Sequence, residues 1–463
     1  MIVMKFGGTS VEDSDAIRKV IEIVRTELHR NPIVFVSACA GVTNQLLKVA
    51  DLSAAGKKDE ANDYITAIRT RHEKLVDELI HSELPKNYLK GKISVYAHEL
   101  KNLSQAISVI GEITGRSRDT IASYGERLSS MIIAQAMEES SLKSMLVDAR
   151  EFMITNDSFT KAVPIFPVVE ERAKKLIEPL VLNGYVVVTQ GFIGATQSGI
   201  TTTIGRGGSD YSASIIGSLL DAAEIQIWTD VDGVLTADPS IIPGARRIKR
   251  MSFNEASELA YFGARVLHPK TILPAIEKNI PVYVRNSRNP SYQGTLIRRS
   301  DGNEECIAKS IAYKERTTLL NIESSRMFLA PDFLEAIFSV FSKYHTIAHA
   351  VATSEVSVTV AIEDTSRLDD IKREISEFAE ITSSGGKAIV CVVGENIRNN
   401  PGVVGRIFSS LRDIRINMIS QGASEINIGF VVDDDDIEEA VRRLHNELFS
   451  NTSSQELSSE IFD

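Results

Sequence analysis

The chain has 463 residues, with 51 Lys and Arg against 62 Asp and Glu, a formal net charge of −11, and 43% hydrophobic residues. That is roughly three times the ~150 residues of a loose per-domain prior, with ample material for large cores. The acidic balance excludes a general nucleic-acid binder, which needs a basic stripe, and no window approaches the ~18 continuous apolar residues of a membrane span. Cys39, Cys306 and Cys391 lie far apart without a C-x-x-C pair, which fits a reducing compartment. Met1–Phe6 lacks the charged and apolar pattern of a leader, so the expected location is cytoplasmic.

Residues 1–300 alternate strand and helix signals, the pattern of a layered α/β sheet. Strands are predicted at Ile2–Phe6, Ile33–Ser37, Tyr185–Gln190, Ile225–Thr229 and Pro281–Arg285. Each is a short β-branched or aromatic run of the kind buried on both faces. Ile17, Val20, Ile21, Val24 and Leu28 follow the first strand with helical spacing behind a Ser/Thr cap. Residues 45–140 are charge-rich and helix-periodic, and read as a helical insertion on one edge of the sheet. Turn residues from Gly294 to Glu305 mark a boundary. Beyond it, one unit runs through strand Thr318–Glu323, helix Asp332–Tyr344, strand Val356–Ile362 and helix Ser366–Phe378. Another runs through strand Ala388–Val393, helix Val403–Arg412, strand Asn427–Val432 and helix Asp436–Phe449. Leu334–Phe341 and Val403–Leu411 form a weak internal repeat, and two copies suit a paired regulatory module better than a solenoid. Residues 450–463 are polar and Ser-rich, and read as a flexible tail.

Three stretches carry chemistry. Lys5-Phe6-Gly7-Gly8-Thr9-Ser10 stands between the first strand and the first helix, where glycines let backbone N–H groups approach an anion and a helix N-terminus adds its dipole. It is not a Walker A loop, since G-x-x-x-x-G-K-[ST] occurs nowhere. Gly205-Arg206-Gly207-Gly208-Ser209-Asp210 is a second glycine cradle opening a helix, with an arginine for a carboxylate or phosphate and an aspartate for a cation or a lysine. Trp228-Thr229-Asp230-Val231-Asp232-Gly233 ends a buried strand, the edge at which open α/β sheets collect ligands. Two glycine-rich helix entrances in one sheet suggest a nucleotide phosphate chain between them.

KFGGTS at 5–10, SYGERLSS at 123–130, GRGGSD at 205–210, WTDVDG at 228–233 and FGARVLHP at 262–269 together resemble the aspartate kinase family in order and spacing. The resemblance spans the chain, because that family ends in two ACT domains. It implies an amino-acid-kinase-like three-layer α/β/α sandwich over residues 1–300, followed by two ferredoxin-like βαββαβ ACT domains. The first would span 315–384, and the second would combine 304–314 with 385–449. It also implies ATP with Mg2+ as phosphoryl donor and L-aspartate as acceptor, giving 4-phospho-L-aspartate on the route to lysine, threonine and methionine. An amino-acid effector, lysine or threonine, and a homodimer or dimer of dimers through the ACT domains are implied too. The chemistry agrees, because a carboxylate of pKa ~3.9 is ionised at neutral pH and needs no general base. What it needs is positive charge on the transferring phosphoryl and in-line placement.

By the same resemblance, Lys5 and Asp210 are the catalytic pair. Lys5, Gly7, Gly8, Thr9, Ser209, Thr229, Asp230, Leu235 and Arg265 would hold the nucleotide. Ser37, Thr43, Glu126, Arg206, Gly207, Gly208 and Ser209 would hold aspartate, with Arg206 on its α-carboxylate and Glu126 on its α-ammonium. Met327, Leu334, His349, Ser354 and Glu355 would line the effector pocket. Two positions depart from the family pattern: Arg265 stands where lysine is common, and Ser240 where arginine is common. His349 stands where lysine-sensitive relatives tend to carry an acidic residue, which brings a small neutral effector such as threonine into contention. Read from the residues, an amino-acid sensor on a weak kinase fold is the alternative, and the joint presence of Lys5, Glu126, Arg206 and Asp210 favours turnover.

Overall fold

A computed structural model describes residues 1–262, 269–300, 308–323, 332–422, 424–450 and 461–462. The chain divides into two compact units, Met1–Val234 with Val266–Arg299, and Leu235–Arg265 with Ser300–Asp463.

In the first unit a twisted sheet runs in the order Ser144–Val147, Val186–Gln190, Pro32–Val36, Ile2–Phe6, Ile225–Thr229 and Val282–Asn286, every neighbouring pair parallel. Thr295–Arg298 adds an antiparallel strand beside Val282–Asn286. The two-residue period of a strand divides the side chains between the faces. Ile2, Met4 and Phe6 join Val34, Val36 and the inward residues of helices Ser14–Thr26 and Gly115–Glu139 in one core. Val3 and Lys5 face the other way. There helix Gly208–Leu219 approaches so closely that a Cβ on Gly217 would lie 2.7 Å from Ile225 and 3.7 Å from Val3. The alternation thus puts Lys5 on the face covered by the helix that carries Asp210. Residues 42–139 form helices Val42–Ala54, Lys58–Leu79, Glu83–Ile110 and Gly115–Glu139. A small sheet of Ile154–Thr155, Ile193–Thr196 and Thr201–Thr203 lies outside the main one.

The second unit has one six-stranded antiparallel sheet, ordered Ala350–Thr353, Ser357–Ile362, Ala308–Glu323, Glu380–Gly394, Asn427–Asp433 and Met418–Ser420. Its two long strands serve both halves. Residues 318–323 pair with Ser357–Ile362, whereas 308–314 pair with the end of Glu380–Gly394. The register shifts between Lys314 and Leu319, where Arg316 takes a left-handed φ of 57°, the signature of a bulge that bends a strand. Helices Phe333–Lys343 and Leu368–Ile375 cover one half, burying Phe333, Ile337, Val340, Ile371 and Ile375 against Leu320, Ile322, Val358 and Val360. Pro401–Ser410 and Ile437–His445 are the helices of the other.

Segment Leu235–Arg265 groups with this second unit rather than with the rest of residues 1–300. Polar contacts explain why. Ile311 donates its backbone N–H to the Thr236 carbonyl at 2.9 Å, and the Asn427 amide donates to Glu258 at 2.6 Å. Helix Phe253–Tyr261 opens with a capping box in which Ser252 and Glu255 satisfy each other's backbone N–H. Glu255 also pairs at 2.9 Å with Lys309, both side chains almost completely buried.

Candidate active site

A cavity of about 370 Å³ in the first unit gathers most of the residues expected at the reaction centre. Lys5, Gly8, Ser37, Thr43, Glu126, Arg206, Gly207, Gly208, Ser209 and Asp210 all line it. Lys5 Nζ lies 2.5 Å from Asp210 Oδ1, both side chains mostly buried. Ser37 and Ser209, from opposite sides, share a hydroxyl hydrogen bond of 3.0 Å. Arg206 lines the same cavity and is exposed.

The backbone supplies the rest. Helix Gly208–Leu219 starts behind Gly207 in the left-handed region, φ 72°, without a side-chain cap. Helix Val42–Ala54 likewise starts behind Gly41, φ 80°, with no cap. Two uncapped N-termini therefore present free N–H groups and positive dipole ends to one cavity, an arrangement that favours anionic groups. The first glycine cradle works differently from the expectation. Gly8–Val11 is a short 3-10 turn, and the first α-helix begins only at Ser14, capped by Asp13. Gly8 is required by proximity instead: a Cβ there would sit 2.9 Å from the Ala38 carbonyl oxygen. Gly7, extended at φ −71°, would keep ordinary contacts at 3.5 Å or more.

Glu126 is placed by its helix neighbours. A Cβ on Gly125 would lie 2.7 Å from that of Ala38, so only glycine lets helix Gly115–Glu139 reach Ala38 and the start of helix Val42–Ala54. Ser129 then donates to the Ser37 carbonyl at 2.8 Å, and Glu126 Oε1 accepts the Ala38 N–H at 3.2 Å. Glu126 Oε2 is buried with no partner. Burial pushes this carboxyl up to about 8, against the Ala38 hydrogen bond, so a positively charged ligand group would relieve both costs. Gly125 and Ser129 escaped the sequence reading, although they belong to the same SYGERLSS run. Asn44 and Phe192 also line the cavity unforeseen. Phe192 holds a left-handed φ of 67°, which is rare for an aromatic residue, and no local sequence signal foretold it.

Other expected residues stand elsewhere. Gly7 donates its N–H to the Trp228 carbonyl at 3.0 Å, tying the first cradle to the end of strand Ile225–Thr229. Thr9 lies in the 3-10 turn, and the Thr229 hydroxyl bonds Asp230 at 3.1 Å. None of these four lines the cavity. Leu235 belongs to the second unit, its carbonyl taken by the Ser310 hydroxyl at 2.7 Å. Ser240, in the same unit, closes a turn by donating its N–H and hydroxyl to Asp238 at 2.8 and 2.6 Å. Arg265 and Met327 lie outside the described residues. The remaining effector candidates lie along the first two strands of the second unit's sheet and on the helix that covers them. Ser354 closes a turn with Ser357 beside exposed Glu355, Leu334 is exposed on helix Phe333–Lys343, and His349 faces a separate cavity at the other end of strand Ala350–Thr353.

Residues 1–286 match the amino acid kinase family, and residues 390–448 match an ACT domain. The chain is 35% identical to aspartokinase 1 of Arabidopsis thaliana, covering 98% of this chain and 81% of that protein. It is 34% identical to the lysine-sensitive aspartokinase 3 of Escherichia coli, covering 97% and 99% respectively. Its fold is similar to the crystal structure of E. coli aspartokinase III in complex with aspartate and ADP, with a TM-score of 0.84 and 33% identity over 97% of this chain and all of the other. The T-state structure of that enzyme with lysine and aspartate is similar too, at a TM-score of 0.79 and 33% identity over 97% of this chain and 99% of the other. The chain belongs to the aspartate kinases of the amino acid kinase family, with ACT domains at its C-terminal end.

Proposed function

We propose that this chain transfers the terminal phosphoryl group of ATP, as its Mg2+ complex, to the side-chain carboxylate of L-aspartate, giving 4-phospho-L-aspartate and ADP. One observation carries the reading: a single cavity holds the Lys5–Asp210 ion pair, two uncapped helix N-termini and the unpaired buried oxygen of Glu126. A carboxylate oxygen of aspartate forms the new P–O bond as the bond to ADP breaks. Lys5 screens the charge on the phosphoryl oxygens during transfer, and Asp210 orients Lys5. Arg206 pairs with the α-carboxylate and Glu126 with the α-ammonium, while Ser37, Thr43, Gly207, Gly208 and Ser209 complete the substrate's surroundings. Gly7, Gly8, Thr9, Thr229, Asp230, Leu235 and Arg265 are assigned to the nucleotide.

Among the described residues no three His, Cys, Asp or Glu side chains converge as a cage for a metal. Mg2+ that arrives on nucleotide phosphates uses only one or two carboxylates, and Asp210 is the carboxylate placed to serve. The bound ion would neutralise phosphate charge; alignment remains the task of the backbone N–H groups and Lys5.

The reading extends to regulation and assembly. Lysine or threonine acting through the ACT units, a homodimer or dimer of dimers joined through them, domain limits of 1–300, 315–384 and 304–314 with 385–449, and a cytoplasmic location complete the proposal. In support, the E. coli relative is lysine-sensitive and has been solved with lysine. Among the described residues no helix is long and apolar enough to cross a membrane.

Glu126 supplies the test. Unliganded, its carboxyl near 8 is mostly protonated at pH 7, yet pairing with the α-ammonium requires the carboxylate. Aspartate binding should therefore release a proton at neutral pH. The KM for aspartate is expected to rise by up to about tenfold per unit as pH falls below 8, and to level off above it. Glu126→Gln should show a raised KM with this dependence gone. A KM that is independent of pH in the wild type, or unchanged in the variant, would remove Glu126 from the substrate site.

A further inference from the structure

The second unit contains a cavity of about 260 Å³ between helix Phe253–Tyr261 and both edges of its sheet, with Glu258, Tyr261, His349, Met418, Ser420 and Asn427 in its walls. The His349 side chain is 9% exposed, and its Nδ1 is fully buried with no partner. Its Nε2 lies 3.5 Å from Glu363. Burial and Lys314 lower the pKa of His349 while Glu363 opposes them, which keeps the ring neutral near pH 7. Glu258 accepts one hydrogen bond, from Asn427 at 2.6 Å, and no lysine or arginine lines the cavity among the described residues. Lys314, 5.6 Å above the Tyr261 ring, is paired with Glu363 at 3.2 Å. The polar wall therefore presents the Glu258 carboxylate, which takes hydrogen donors. Met418, Ile389 and Val431 supply apolar wall.

We propose that this cavity is a binding site for a small monocation, a molecule with a protonated amine and a compact apolar body. The ammonium meets Glu258, and the apolar body lies against Met418 and Val431. A ligand carboxylate would meet the like charge of Glu258, with no lysine or arginine among the described residues that line the cavity, and would lose its hydration uncompensated. The site is distinct from the cavity at Lys5 and from the Ser354–Glu355 turn, and it does not depend on the kinase reading. Its walls come from helix Phe253–Tyr261 and from both halves of the sheet, so an occupant ties the three together and stabilises the unit by mass action.

Calorimetry and thermal unfolding of the full chain with three probes of equal shape test this: leucinamide, leucine and 4-methylpentanoate. Leucinamide is expected to bind saturably and raise the unfolding temperature. Leucine should bind at least about tenfold more weakly, and 4-methylpentanoate not at all. Glu258→Gln, whose amide oxygen still accepts from Asn427, should weaken leucinamide by about tenfold or more. Met418→Trp, which fills the cavity without touching its polar groups, should abolish binding. No saturable leucinamide binding, equal affinity for the three probes, or affinity unchanged in both variants would overturn the proposal.

Discussion

Lys5→Ala is expected to lower kcat by about 10²–10³-fold, the usual cost of removing one preorganised group that meets developing charge. The KM for aspartate should hardly change, because Lys5 acts on the transferring phosphoryl and not on the groups that hold the acceptor. Strand alternation directs Lys5 to the face of helix Gly208–Leu219, and Asp210 fixes it at 2.5 Å. Asp210→Asn should therefore lose activity in the same direction but by less, since the cation stays while its orientation loosens. Steady-state kinetics with both substrates varied checks each variant. Near-wild-type turnover in Lys5→Ala would remove the residue from the chemistry.

Lys309→Met is expected to destabilise the second unit by about 3–5 kcal/mol at neutral pH, the cost of leaving a buried charge without its partner. Glu255 is enclosed and also closes the capping box of helix Phe253–Tyr261, so it cannot turn to solvent. Its carboxyl is raised by burial, opposed by Lys309. Without Lys309 the folded state binds a proton more tightly than the unfolded chain does. The deficit is therefore full above the raised pKa and shrinks as pH falls towards the ordinary carboxylate range. Glu255→Gln combined with Lys309→Met should recover much of the loss. Denaturant unfolding across pH measures all three variants, and an isolated Lys309→Met change below about 1 kcal/mol, the scale of an exposed pair, would contradict the buried-pair reading.

Residues whose signals are local were readable from the chain alone. The buried strands Ile2–Phe6 and Ile225–Thr229 stand where their apolar runs placed them, and Lys5, Gly8, the second glycine cradle and Glu126 come together in one cavity. What the sequence hid depends on distant partners. Ala350–Thr353 and Met418–Ser420 are short edge strands whose pairing, not their composition, makes them strands. Thr295–Arg298 hides in a turn-rich stretch. Segment Leu235–Arg265 follows a strand of the first unit, yet its buried Glu255 finds Lys309 more than fifty residues on. Gly8 and Gly125 were legible as glycines, but the reason for each is a carbonyl or methyl group that only the fold brings near. His349 was read from the resemblance to lysine-sensitive relatives, and strand Ala350–Thr353 lies between it and Glu355.

The most direct test of the central claim is to supply the full chain with MgATP and each of L-aspartate, L-glutamate and no acceptor, with hydroxylamine present to trap an acyl phosphate. ADP and hydroxamate should form in equal amounts with L-aspartate and at background level otherwise. ADP formation independent of aspartate, or aspartate-dependent ADP without hydroxamate, would contradict phosphoryl transfer to the side-chain carboxylate.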